Sequence, residues 1–229
     1  MINSIDSVQD TAELFRDFVR APAFPCVGAK SALSRGQMTI VTARSIVSAW
    51  DDLAVLPRLA ALARSYRAAP KLFQTLVVIF EASPDLDEAG FETALWERVQ
   101  SLSHKDEWMG YAADPRVSTD PDDPHFSLSF GGEAFFVVGL HPRASRPARR
   151  FAHPTLVFNL HDQFEQLRAA DRYEKLRASI LDRDLELAGS ANPMLERHGA
   201  GSEARQYSGR VVGDDWRCPF VGRRLDDAA

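Results

Sequence analysis

Two strand-like runs separated by a glycine pair limit what this chain can fold into. His125–Phe130 (HFSLSF) and Glu133–Leu140 (EAFFVVGL) flank Gly131-Gly132. Such a pair supplies the positive φ angles that a tight turn between antiparallel strands needs. A sheet built around this hairpin is not all-parallel. Three more runs read as strands: Met38–Thr42 (MTIVT), Lys71–Glu81 (KLFQTLVVIFE) and Thr155–Leu160 (TLVFNL). The second is apolar enough to be central in the sheet. Helical spacing marks Thr11–Val19, Ser48–Ala68, Leu86–Ser103 and His161–Leu187. Pro57 is expected to bend or restart the second helix, and Gly189 to cap the last. Ala21–Gly28 breaks the first with two prolines and a glycine.

Asp114–Pro124 is a proline- and aspartate-rich surface loop, and no periodicity follows Ser190. The aromatic and Met content of that final segment argues for ordered packing, and long irregular stretches in compact domains often line a site. Strands and helices alternate early, and a hairpin and a further strand come later. The expected fold is therefore α+β, with one domain over residues 1–229. A mixed, mostly antiparallel sheet is flanked by helices and followed by a long irregular C-terminal segment.

Charge narrows the partners. The 229 residues carry 27 Lys plus Arg against 32 Asp plus Glu, a net charge of −5. An acidic chain is a poor general binder of nucleic acid or anionic membrane, so neither is expected as a partner. The longest apolar runs, Leu76–Phe80 and Ala134–Leu140, are far too short to span a bilayer. The N-terminal stretch has neither the basic nor the apolar region of a signal peptide, and the expected location is cytoplasmic. Cys26 and Cys218 form no CxxC pair, and a disulfide is not expected. Each is either a buried free thiol or a metal or haem ligand.

Against the acidic background, His141-Pro-Arg-Ala-Ser-Arg-Pro-Ala-Arg-Arg150 stands out. Arg143, Arg146, Arg149 and Arg150 follow an apolar strand directly, on a loop constrained by two prolines. Guanidinium groups bind carboxylate and phosphate bidentately, so the cluster points to a specific anion. The alternative is a solvated face paired with surface acids. His141 and His161 each end a strand, and on neighbouring strands the two imidazoles are expected to approach one another as metal or haem ligands. A core histidine, or a helix cap at His161, is the alternative. His104, His125, His153 and His198 carry less signal. Cys218, in Trp216-Arg-Cys-Pro219, reads as a thiolate ligand or as part of a terminal apolar anchor. No phosphate loop, dinucleotide fingerprint or nucleophile elbow is present.

Several segments together resemble the YqcI/YcgG family. They are Phe24-Pro-Cys-Val-Gly-Ala-Lys-Ser-Ala32, Gly139-Leu-His-Pro142 with its arginines, and Phe158-Asn-Leu-His-Asp-Gln-Phe-Glu165. Asn192-Pro-Met-Leu195, Ser202-Glu-Ala-Arg-Gln-Tyr-Ser-Gly-Arg210 and Trp216-Arg-Cys-Pro-Phe220 continue the series. The resemblance runs from about residue 24 to residue 220. It implies haem b as cofactor and N-oxygenation as activity, because members hydroxylate a guanidine nitrogen on the way to D-cycloserine and to guanitoxin. The implied partners are a small amine or guanidine substrate, O2 or hydrogen peroxide, and an electron donor. A homodimer is a further candidate arrangement.

On that reading Phe135, Phe136, Phe151 and Phe158 supply an apolar slot, and Arg143, Arg146, Arg149 and Arg150 hold the propionates. His141 ranks first as axial ligand, ahead of His161 and Cys218. Glu203, with Glu165 as an alternative, orients a cationic substrate, and Tyr207 and Gln206 hydrogen-bond iron-bound oxygen or substrate. Two other functions stay open. One is a haem sensor, carrier or peroxide scavenger; the other is an anion-binding protein without haem.

Overall fold

The glycine pair forms the expected turn. In the computed structural model, which describes residues 4–194 and 201–223, Gly131 and Gly132 have φ of +59° and +79°. They join β3 (Leu128–Phe130) to β4 (Glu133–Leu140) as an antiparallel hairpin, with Leu128 opposite Phe135. A Cβ at Gly131 would stand 3.0 Å from the Cα of Ala60, so the turn also depends on close approach to a helix. The other strands are β1 (Met38–Ala43), β2 (Thr75–Phe80) and β5 (Thr155–Leu160). The five-stranded order is β1-β2-β5-β4-β3. Only β1 and β2 pair in parallel; β2–β5, β5–β4 and β4–β3 are antiparallel. β2 is buried at every position, as its unbroken apolar run requires.

Seven α-helices accompany the sheet among the described residues. They are α1 (Ser4–Arg20), α2 (Val27–Ser34), α3 (Asp52–Ala68), α4 (Glu88–Trp108), α5 (Asp162–Ala169), α6 (Tyr173–Ala188) and α7 (Ala204–Tyr207). The fold is thus α+β with a mixed, mostly antiparallel sheet. Three local expectations change. α3 runs unbroken through Pro57 after a short 3-10 turn at Ala49–Asp51. The helix expected over His161–Leu187 is two helices, because Asp171 takes a left-handed conformation (φ +54°) between them. Aspartate tolerates that region, and no Gly or Pro marks the break. α2 starts at Val27, inside the stretch whose prolines and glycine signalled only a break; Cys26 caps it by accepting from the Ala29 N–H.

Alternation along the strands divides the core. Leu76, Val78, Phe80, Phe135, Val137, Leu156 and Phe158 face α3 and α4. Val77, Ile79 and Leu140 face the other way, toward Phe15 and Val19 of α1 and Phe151. β3 covers only the first three residues of β4, and α7 packs along the rest of that edge. No helix among the described residues is long and apolar enough to cross a membrane.

Candidate functional site

A cavity of about 310 Å³ lies on the α1 side of the sheet. That size is at the small end of the range for small-molecule sites, about 300–1,000 Å³. Its floor is Met38, Thr75, Phe136, Val138, Leu140, Val157 and Asn159 from the strands. Phe15 and Val19 of α1 and Phe24, Pro25, Cys26, Gly28 and Ala29 around the start of α2 form one wall. Gln163, Phe164, Leu167 and Arg168 of α5 and Tyr173, Leu176, Arg177 and Ile180 of α6 form another. Glu203 and Gln206 close it from the C-terminal segment. The lining is predominantly apolar, with a few polar groups that converge on one space.

The four arginines after β4 do different work. Arg143 is exposed and pairs with Asp85 at 3.1 Å. Arg146 is buried and pairs with Asp184, and it also donates to the carbonyls of Ser190 and Ala191. Arg150 folds the loop on itself by donating to the carbonyls of Ala144 and Ser145. Arg149 alone of the four both lines the cavity and lacks an ion pair among the described residues. Its guanidinium donates to the carbonyls of Gly139 (3.0 Å), Tyr207 (3.1 Å) and Gln206 (3.0 Å), and so stitches the free edge of β4 to α7. Burial pulls its pKa down to about 10. Arg149 thus brings a buried positive charge, held by carbonyls, to a cavity whose lining also carries the carboxylates of Asp184 and Glu203.

Cys26 shares the wall with Arg149. Burial raises its thiol, while the N–H groups at the start of α2 and the charge of Arg149 act in the opposite direction. These are the influences that favour a thiolate once a metal or cation compensates its burial.

The two histidines do not meet. β4 and β5 are neighbours, but they are antiparallel, with Leu140 opposite Thr155 and Phe135 opposite Leu160. His141 and His161 therefore sit at opposite ends of the sheet. His141 is 1% exposed and stacks on Phe91 of α4 at 4.4 Å, on the face away from the cavity. Its Nδ1 has no hydrogen-bond partner, and burial lowers its pKa. His161 is buried beside the cavity-lining Glu203. Its Nδ1 lies 3.1 Å from Ser127 Oγ and 3.7 Å from Glu203, and its Nε2 lies 3.4 Å from Glu165.

Of the remaining candidates, Phe136, Glu203 and Gln206 line the cavity. Phe135 and Phe158 are packed against α3 and α4, and Phe151 packs edge-on against Phe15 at 5.0 Å, behind the wall. Tyr207 is fully buried and donates to the Phe135 carbonyl at 3.4 Å; burial raises its pKa well above the ordinary value. Cys218 packs on the α4 side, where burial pushes its thiol up to about 12. His198 and Leu195 lie outside the described residues.

Asn159, Gln163, Arg168 and Arg177 were not singled out from the sequence. Asn159 and Gln163 lie within the family-like stretch Phe158–Glu165, and Asn159 is also an amide inside the strand run TLVFNL; those were the available signals. No cluster of three or more His, Cys, Asp or Glu side chains suited to a metal ion occurs among the described residues. The residues present do suit a flat apolar group with acidic arms: apolar floor, guanidinium groups for carboxylates, and two soft sulfur atoms, the Cys26 thiol and the Met38 thioether. No histidine lines the cavity among the described residues.

No curated protein and no solved structure is similar enough to the chain to lend it a relative. The model of the YqcI/YcgG family matches residues 15–221, from Phe15 on the cavity wall to the C-terminal segment beyond Glu203 and Gln206, and the chain belongs to that family.

Proposed function

We propose that the cavity binds haem b and that the protein N-oxygenates a small guanidine or amine. The observation that carries this reading is the pairing of a predominantly apolar cavity with Arg149, a buried guanidinium satisfied only by carbonyls. Such a cation favours a ligand that brings its own carboxylate into an apolar space. Val138, Leu140 and Val157 would pack against the macrocycle, and Arg149 would take a propionate, with Arg177 as a second cation on the wall. Cys26 takes the place ranked first for His141, because it is the soft donor on the wall. When bound, the haem supplies activation of O2 or hydrogen peroxide, which no side chain can do.

The chain's own residues then bind and orient the substrate. Glu203 carries a carboxylate into the cavity and is held beside His161, so it can fix a protonated amine or guanidinium. The apolar wall excludes water, which strengthens that pairing.

Purified protein titrated with hemin tests the cofactor. The expected result is a Soret band with one haem per chain, and an N-hydroxylated product when guanidines or amines are supplied with peroxide or with O2 and reductant. A Soret band without product from any of them leaves a haem sensor or carrier. No band at all overturns the proposal.

A further inference from the structure

We propose that Tyr207, Trp96 and Trp216 form an electron relay joining the cavity wall to the protein surface. Phe136 lines the cavity, and its ring meets Tyr207 edge-on at 5.1 Å. Tyr207 stacks on Trp96 at 5.7 Å with 24° between the planes, and Trp96 lies 6.3 Å from Trp216. Tyr207 is 0% and Trp96 2% exposed, whereas Trp216 is half-buried at the surface with the Arg205 guanidinium 6.0 Å above it. Tyrosine and tryptophan are the side chains whose rings lose an electron most readily. Electronic coupling falls steeply with distance, so rings in contact give the fastest path out of a buried site.

Packing alone does not call for this composition. The indole Nε1 of Trp96 is buried without a hydrogen-bond partner. A Leu or Phe would fill that space without burying an unpaired N–H.

A buried tyrosine gives up an electron only if its proton has somewhere to go, and the structure provides a path. The phenol donates to the Phe135 carbonyl at 3.4 Å, the Ser127 hydroxyl meets the same carbonyl at 3.3 Å, and Ser127 Oγ stands 3.1 Å from His161 Nδ1. The Glu165 and Glu203 carboxylates, at 3.4 and 3.7 Å from the ring nitrogens, stand at the far side of the imidazole to take the proton. A one-electron oxidant formed in the cavity from O2 or peroxide takes an electron from Tyr207, while the phenol proton is passed by way of Ser127 and His161 to the carboxylate of Glu203 or Glu165. Trp96 then reduces the tyrosyl radical, which recovers its proton by the reverse path. Trp216 reduces Trp96, and an external one-electron donor reduces Trp216. The net change is one electron from donor to oxidant.

The relay rests on the oxidative reading of the cavity for its use, but its existence is tested without any cofactor. Trp50 and Trp108, 75% and 86% exposed, are replaced by Phe so that Trp216 is the indole open to solvent. Azide radical made by pulse radiolysis then oxidises Trp216 to its neutral radical, with azide and a proton released. The expected result is first-order growth of tyrosyl absorbance, matched to tryptophyl decay and independent of protein concentration. That growth is lost in Tyr207→Phe and in Trp216→Phe, the second an aromatic-for-aromatic change at a half-buried position. Growth that depends on protein concentration, or that survives in Tyr207→Phe, overturns the relay. A colourless protein that still forms the Tyr207 radical ends the haem reading alone, and a haem-loaded protein that does not ends the relay alone.

Discussion

On one face of the sheet, Phe135, Val137, Leu156 and Phe158 meet α3 and α4 so closely that a Cβ at Gly139 would stand 2.7 Å from the ring of Phe91. On the other, Phe136, Val138, Leu140 and Val157, drawn from the same two strands, border a cavity of about 310 Å³. A packed face gains stability from every contact, and a hollow one forgoes some of it. The comparison separates two sets of residues that are interleaved in sequence. His141, Phe135 and Phe158 belong to the packed face, and Cys26, Arg149 and Phe136 to the hollow one. A cofactor or substrate has room only on the second.

Arg149 is the severest test of that division, because it makes the hollow face structural as well as hollow. Arg149→Met leaves the carbonyls of Gly139, Gln206 and Tyr207 without their donor. We expect a loss of about 3 kcal/mol, read as a lower urea midpoint at unchanged m-value. Arg149→Lys keeps the charge but not the fork, and should recover only part of it. A neutral result for Arg149→Met would mean that water already serves these carbonyls, and that the guanidinium is held for a ligand alone.

Val137 and Val138 give the next contrast, since they are adjacent and identical in type. Val137 is fully buried against the α4 side, while Val138 is half-buried and faces the cavity. Val137→Ala should cost about 2 kcal/mol and Val138→Ala about 1 kcal/mol or less, because the second enlarges a space that already exists. The order should reverse for ligand affinity. Equal stability losses would show that the cavity closes in the free protein.

Much of this division was open to a reader of the sequence, and one part was not. The apolar run Leu76–Phe80 and the Gly131-Gly132 pair are local signals, and they place β2 and the β3–β4 hairpin correctly. Period two also puts Phe135, Val137, Gly139 and His141 on one face and Phe136, Val138 and Leu140 on the other. What the pattern does not carry is which face is hollow. That depends on how far α1, α2 and α6 stand off the sheet, and their spacing is set by residues distant in sequence. The same limit explains why His141 ranked first as ligand: it adjoins the arginine cluster along the chain, but its ring stacks on Phe91, on the face away from the cavity. The break at Asp171 was hidden because no Gly or Pro announces it.

His141 turns the comparison into a pH measurement. Burial holds its imidazole below the ordinary value, with Arg149 acting the same way and Glu88 and Asp87 opposing. The unfolded chain takes up a proton near pH 6.5, and the folded chain resists it. The unfolded state therefore binds more protons as pH falls. The contribution is complete above that pH and is lost as pH drops toward the lowered folded value. His141→Phe keeps the stack on Phe91 and removes the titration. The difference in pH slope between wild type and variant should be at most about 1.4 kcal/mol per pH unit, the value of one proton. Identical slopes would mean that His141 is protonated in the fold, and that the packed face is not dry.

Cys26 should give the smallest change in stability and the most informative one in ligand. Its sulfur accepts a weak hydrogen bond from the Ala29 N–H at 3.4 Å at the start of α2, and a serine hydroxyl caps a helix better. Serine also fits the space, so Cys26→Ser should stay within about 0.5 kcal/mol of wild type in urea. The thiol on the hollow face is then gone while the floor, with the Met38 thioether, and Arg149 remain. If iron binds there, Cys26→Ser protein should still take up hemin into the apolar space, but without the red-shifted ferrous–CO band that marks thiolate ligation. Cys218→Ser, on the packed face, should leave that band unchanged. The opposite pattern would return the ligand to the C-terminal segment and leave the cavity to the substrate alone.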